Sequence, residues 1–216
     1  MGEDDGDDET IGAEHFLPAR RSLEALREAA RGCRGCGLYR RATQTVFGSG
    51  SRAARIVMIG EQPGDEEDRR GAPFVGPAGR MLDAALAAAG IARDEVYVTN
   101  VVKHFKWEPR GPRRLHKKPN AREIRACMPW LEQEIAAIRP LVVVCLGATA
   151  AQALLGPGFR VSRQRGQVIA REFAPHVVAT IHPAAILRQP TDEDRRREQA
   201  KFVADLKIVA GLLRDR

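Results

Sequence analysis

The chain alternates short apolar runs with stretches in which apolar residues recur every three or four positions. Residues 56–59 form a continuous run rich in β-branched side chains, and its brevity predicts a buried strand rather than a helix. The run stops at Gly60-Glu61-Gln62-Pro63-Gly64, a tight turn at a strand's carboxyl end. Residues 80–89 have helical spacing and are halted by Gly90, and residues 95–102 predict a second strand. Further strands are predicted at 141–146 and 177–181, the latter ending in His182-Pro183, with a short segment at 167–170. Helices are predicted at 22–31, from Asn120 to about residue 139, and after Gly147. A last, charged helix is capped by Thr191 and buries Phe202, Leu206, Val209 and Leu213. Residues 105–119 break the alternation. They are polar, interrupted by Pro and Gly, and predict a long loop carrying six Lys or Arg. Strands that are apolar throughout, alternating with helices, predict a single-domain α/β/α sandwich with a mostly parallel central sheet.

Composition bounds this picture. At 216 residues, 44% hydrophobic, the chain has material for one full core. Residues 1–14 contain seven acids and no Lys or Arg, so residues 1–16 are expected to be a disordered acidic leader and residues 17–216 the domain. The whole chain carries +7, and setting those acids aside leaves +14 on residues 15–216, a body that predicts a polyanionic partner. With no apolar run of spanning length and no secretion signal at the start, a cytoplasmic, monomeric protein is expected. In such a compartment the four cysteines point to a metal or redox site before a disulfide. Cys33 and Cys36 follow the first helix, Cys127 lies in a later helix, and Cys145 falls inside an apolar strand, where a thiol behaves as a small hydrophobe.

If the strands are parallel, their carboxyl ends bring Glu61, Gln62, Asn100 and His182 to one crevice. Phe74 and Val75 stand close to a helix amino terminus with spare backbone donors. A carboxamide pairs with the edge of a planar base, an aromatic ring stacks on its face, and an imidazole donates to an oxygen that gains charge. Taken singly, each of these residues also has a structural use.

Five ordered blocks carry a resemblance: Gly60-Glu-Gln-Pro-Gly64, Gly71-Ala-Pro-Phe-Val-Gly76, Thr99-Asn-Val-Val-Lys103, Leu146-Gly-Ala-Thr-Ala-Ala151 and Ile181-His-Pro183. Together they resemble the iron-sulfur uracil-DNA glycosylases of family 4. Arg113-Arg114-Leu115-His116 is similar to the Lys-Arg-Arg-Ile-His insertion of the UdgX branch, with Pro112 and Leu115 departing from it. The resemblance implies excision of uracil from DNA and covalent capture of the sugar C1′ by His116, with Glu61 accepting the other ring proton. It implies that Phe74 stacks on the flipped base, Asn100 reads its edge, Gly60 and backbone donors near Gln62 help enclose it, and His182 bonds the departing carbonyl oxygen. Asp65 and Arg114 would position the basic loop, and Arg113 and Lys117 would contact DNA. Ile186 and Leu187 would either wedge into the gap left by the base or belong to the core. A 4Fe-4S cluster is implied on Cys33, Cys36 and Cys127, with His104 at the family's fourth cysteine position; Cys145 is the rival ligand and zinc the rival metal. A hydrolytic glycosylase and a non-catalytic uracil-DNA or single-strand binding module remain the alternatives, and a redox sensor built on His104 a further one.

Overall fold

The computed structural model describes residues 10–214. Its central sheet has five strands, β1 (Ile56–Gly60), β2 (Val96–Asn100), β5 (Val142–Leu146), β6 (Val168–Arg171) and β7 (Ala174–Thr180), in the order β2-β1-β5-β7-β6. The first four in that order run parallel, and β6 joins the edge antiparallel to β7. The fold is thus the expected mostly parallel α/β arrangement. The second strand is shorter than predicted, because the chain leaves the sheet after Asn100 while Val101 and Val102 stay buried.

Side-chain alternation along each strand divides the core into two layers. Val57, Ile59, Val143, Cys145, Val177 and Ala179 face helices α1 (Leu23–Ala30), α4 (Ala121–Ile138) and α5 (Ala148–Leu155). Ile56, Met58, Val96, Val98, Val142 and Val144 face α3 (Pro77–Ala89), α7 (Pro183–Leu187) and α8 (Asp192–Leu212). Each fully buried aliphatic side chain contributes about 1.5–3 kcal/mol, so a strand lined on both faces is held more firmly than one with a wet side. Helix starts follow the sequence. Ser22 accepts from Ala25 N, Thr191 from Asp194 N, and Asn120 exchanges capping bonds with Glu123. α4 continues through Pro129.

Two expectations are corrected. The predicted loop at 105–119 contains a hairpin, β3 (Trp107–Arg110) and β4 (Arg113–His116), paired antiparallel with Trp107 opposite His116. Its turn places Gly111, at φ 58°, before Pro112, the order a type II′ turn uses, so the residues that suggested an irregular loop close a tight one. The acidic leader was expected to extend to residue 16. Instead Ala13–Phe16 form a 3-10 turn against α4, with Ala13 buried and Gly12 N donating to Gly35 O at 3.0 Å. A Cβ on Gly35 would lie 2.7 Å from the Gly12 backbone, so this docking requires glycine. The most acidic part of the leader, residues 3–9, lies outside the described residues. Among the described residues no helix is long and apolar enough to cross a membrane.

Candidate active site

The carboxyl ends of β1, β2 and β7 open on one side of the sheet, and the predicted residues meet there. Gly60 ends β1 at a point so crowded that a Cβ on it would lie 2.4 Å from Asn100 Oδ1, 2.9 Å from Phe74 Cζ and 3.3 Å from His182 Nε2. With no side chain at Gly60, these three groups close on its backbone from three sides. Phe74 and His182 face each other with ring centroids 5.9 Å apart and planes 27° from parallel. Phe74 holds φ 57°, a left-handed conformation uncommon for a bulky residue. Its backbone carbonyl presses on Gly79, where a Cβ would lie 1.7 Å from Phe74 O. The buried Glu67 of α2 (Asp65–Arg70) braces the same loop, accepting from Gly76 N at 2.7 Å and Gly64 N at 3.1 Å. One carboxylate therefore ties the turn after β1 to the loop that presents the aromatic face.

His182 caps α7. Its Nδ1 accepts from Ala184 N at 3.2 Å, which leaves the hydrogen of the neutral ring on Nε2, the atom facing Gly60. Burial first, then the positive charge of Arg188, pushes its pKa down to about 4, so the ring is a neutral donor at physiological pH. His116 also contributes to that shift, which places the hairpin histidine within the same electrostatic neighbourhood.

His116 ends β4, half exposed, with Nε2 3.3 Å from Glu61 Oε1. Its pKa is lowered chiefly by burial and opposed by the Glu61 charge. The second oxygen of Glu61 accepts a short hydrogen bond from the Thr149 hydroxyl at the start of α5. Several contacts hold the hairpin over the turn. Arg114 donates from Nε to Asp65 Oδ1 at 2.5 Å and from Nη1 to Asp68 Oδ2 at 2.6 Å, and it lies over the rings of Phe105 and Trp107. Asp68 is fully buried and also accepts from Thr43 N, so it fixes Arg114 from a rigid position. Trp107 Nε1 donates to Arg41 O at 2.8 Å. The Gln62 side chain bonds Lys106 O and Lys117 O through Nε2, and Lys106 N through Oε1. The expectation for Gln62 concerned backbone donors near it; its carboxamide serves the base of the hairpin.

Arg113 and Lys117 are exposed on the hairpin, as DNA-contacting residues would be. The wedge expectation divides. Ile186 is fully buried against α3 and α8, because α7 turns it into the core, whereas Leu187 is 36% exposed. A cleft of about 790 Å³ lined by Met128, Ile135, Leu154 and Phe173 shares no residue with the crevice.

Beneath β2, Lys103 is wholly buried. Its Nζ donates to Glu134 Oε2 and Asn100 O, both at 2.6 Å, and to Thr99 Oγ1 at 2.7 Å. Glu134 also accepts from Tyr97 Oη and Gly48 N. This network fixes the strand end that carries Asn100. Lys103 N in turn donates to Cys127 Sγ at 3.2 Å.

Cys127 belongs to a buried patch with Cys33 and Cys36; burial raises its thiol pKa to about 12, and the other two cysteines add to the effect. Cys33 Sγ accepts from Trp130 Nε1 at 3.2 Å. His104 is buried and its Nε2 lies 2.9 Å from Thr45 Oγ1. The Thr45 hydroxyl gives its only hydrogen to Ala30 O, so His104 Nε2 is the donor in that pair and Nδ1 keeps the lone pair of the neutral ring. Burial holds the His104 pKa down at about 4, the neutral form a metal ligand needs. Cys145 stands apart in β5 between Ile59 and Ala179, and burial alone raises its pKa to about 12. Among the described residues, no three His, Cys, Asp or Glu converge as a single-ion site would require.

Thr149, Glu67, Asp68 and the Lys103–Glu134 pair were not anticipated as parts of the site. Thr149 lies within the Leu146–Ala151 block, which was its only signal, while Glu67 and Asp68 sit in a charged run that resembles a solvated helix face.

Residues 47–207 match the uracil DNA glycosylase superfamily. The chain is 36% identical over 192 residues to a type-4 uracil-DNA glycosylase of Archaeoglobus fulgidus, covering 86% of this chain and 93% of the relative. It is 38% identical over 175 residues to that of Thermotoga maritima, covering 81% and 88%, and 35% identical over 196 residues to that of Pyrobaculum aerophilum, covering 88% and 93%. With similarity of this extent, the chain belongs to the uracil DNA glycosylase superfamily and is similar to its type-4 members.

Proposed function

We propose that the protein excises uracil from DNA and captures the resulting sugar through His116. The observation that carries this reading is the position of His116 Nε2, 3.3 Å from Oε1 of Glu61, the residue next in the chain to Gly60, around which Asn100, Phe74 and His182 gather. The base swings out of the stack, at an unstacking cost of about a few kcal/mol, and lies against Phe74 with its edge toward Asn100. The C1′–N1 bond breaks with its electron pair leaving on uracil, and His182 Nε2–H donates to the carbonyl oxygen that gains the charge. C1′ becomes oxocarbenium-like. The lone pair on the His116 nitrogen facing away from Glu61 forms a bond to C1′, and the Nε2 proton passes to Glu61, leaving a neutral substituted imidazole. The departed uracil anion takes a proton from solvent. Arg113 and Lys117 bind the phosphates, Leu187 fills space left by the base, and Asp65 and Arg114 fix the hairpin.

Cys33, Cys36, Cys127 and His104 would hold a 4Fe-4S cluster. The donor set fits. Three buried sulfurs lie together, with Cys33 and Cys36 both acting on Cys127, two of them accept N–H donors, and His104 Nδ1 keeps the lone pair of the neutral ring. When bound, the cluster supplies structural cross-linking between α1, α4 and the segment after β2.

A second reading, hydrolytic release of the abasic DNA, is favoured by the similarity to type-4 relatives. The test is to mix protein with a uracil-containing single-stranded oligonucleotide, heat in detergent, and assay both free uracil and a slower protein–DNA band. The expected band disappears in His116→Ala, and His116→Ser releases uracil with turnover because a small side chain admits water. Uracil without a band selects the hydrolytic reading. Neither product leaves a binding module.

A further inference from the structure

Glu61 stands between two partners of different character. On one side is His116, 3.3 Å away and half exposed; on the other is the Thr149 hydroxyl, bonded to Oε2 and buried. A carboxylate's terminal torsion is broad and nearly two-fold, so a lone Glu at a strand end has no fixed direction. The Glu61 side chain is also 22% exposed, so water competes for both of its oxygens. Thr149 is buried in the first turn of α5 behind Gly147, which at φ 92° turns the chain sharply out of β5 into that helix. The hydroxyl is thus presented from one rigid direction, and its single hydrogen is committed to Oε2.

We propose that Thr149 is a positioning residue for sugar capture: it holds the Glu61 carboxylate so that Oε1 faces His116 when the imidazole adds to C1′. The proposal rests on the covalent reading above and assigns Thr149 to capture rather than to base cleavage. In the step concerned, the imidazole–C1′ bond forms and the Nε2 proton moves to Glu61 Oε1. Thr149 neither gives up nor gains a proton; it keeps Oε2 occupied, so that Oε1 is the oxygen that receives one. Cleavage of C1′–N1 uses Phe74, Asn100 and His182, none of which Thr149 is seen to bond. Losing the hydroxyl therefore separates two products that the wild-type protein makes together.

The test compares Thr149→Val, which removes the hydroxyl and keeps the branched shape, with Thr149→Ser, which keeps the hydroxyl. Single-turnover reactions with excess full-length protein follow free uracil and the detergent-stable band on one single-stranded substrate. In Thr149→Val, uracil release is expected to stay within about threefold of wild type while adduct formation slows about tenfold or more and unattached abasic DNA accumulates. Thr149→Ser restores adduct formation to within about threefold. An unchanged ratio of adduct to uracil in Thr149→Val overturns the proposal and leaves the covalent reading intact. A Ser variant as defective as Val also overturns it, because packing rather than the hydroxyl would then be the cause. A wild-type protein that releases uracil without any band takes down the covalent reading and this proposal with it.

Discussion

Replacing Lys103 with Met probes the ground on which the strand end carrying Asn100 stands. Lys103 Nζ and Glu134 Oε2 are 2.6 Å apart and both side chains have zero exposure. Met fills a similar volume but carries no charge and no donor. Glu134 would keep its bonds from Tyr97 Oη at 2.8 Å and Gly48 N at 3.0 Å, yet lose its only charged partner in this network. Removing one member of a buried pair costs about 3–5 kcal/mol, because the remaining charge stays desolvated. At about 2–4 °C per kcal/mol for a domain of this size, the melting temperature should fall by about 6–20 °C. Urea titration followed by circular dichroism measures the loss directly. Changing Glu134 to Leu in the same chain should recover part of it, though not all, since Gly48 N and Tyr97 Oη would then lack their acceptor. A loss below about 1 kcal/mol for the Lys103 variant would refute the reasoning, because it would place the pair among solvent-screened ion pairs.

Three further outcomes follow from the geometry. Gly60→Ala puts a methyl carbon 2.4 Å from Asn100 Oδ1 and 2.9 Å from Phe74 Cζ, so uracil release should fall about 100-fold in a variant whose circular dichroism is unchanged. Wild-type release by such a folded variant would show that the close approach of Asn100 and Phe74 to Gly60 has no part in the mechanism. Arg114→Lys cannot bridge Asp65 and Asp68 with one ammonium as the guanidinium does, so proteolysis within residues 107–116 should accelerate and the adduct should suffer more than uracil release; equal losses in both would argue against a hairpin-specific role. The His182 pKa of about 4 in the folded chain lies below the ordinary 6.5, so the unfolded chain takes up the proton first. Its stabilising contribution is therefore complete above pH 6.5 and is lost as pH falls from there through about 4. Urea midpoints of His182→Gln should decline less across that window than those of wild type, and parallel declines would count against it.

The sheet was legible because its strands are apolar on both faces, a pattern that only a covered parallel sheet requires. The crevice followed from topology: Glu61, Asn100 and His182 end different strands, and parallel pairing brings those ends together whatever their sequence separation. The hairpin was less visible, since Arg110-Gly111-Pro112-Arg113 suggests irregular chain as readily as a two-residue turn. Glu67 and Asp68 could not be separated from their charged neighbours, because helical spacing alone does not say which side of a six-residue helix faces inward. Lys103 and Glu134, 31 residues apart, share no local signal. Ile186 and Leu187 are adjacent and chemically alike, and only the orientation of α7 sends one inward and the other to the surface.

Gln62 fastens the hairpin at both ends, through the carbonyls of Lys106 and Lys117, and Arg114 moors its middle to α2. These anchors converge on the turn after β1 and the short helix that follows it, and none reaches a strand of the sheet. The hairpin is in that sense a detachable cassette: a shorter connection between residues 106 and 117 would leave the sheet and the strand ends untouched while taking away the histidine. On the proposed covalent reading, the same scaffold would acquire or shed that step through a change in one connection, with Glu61 remaining behind to direct water where the imidazole had been.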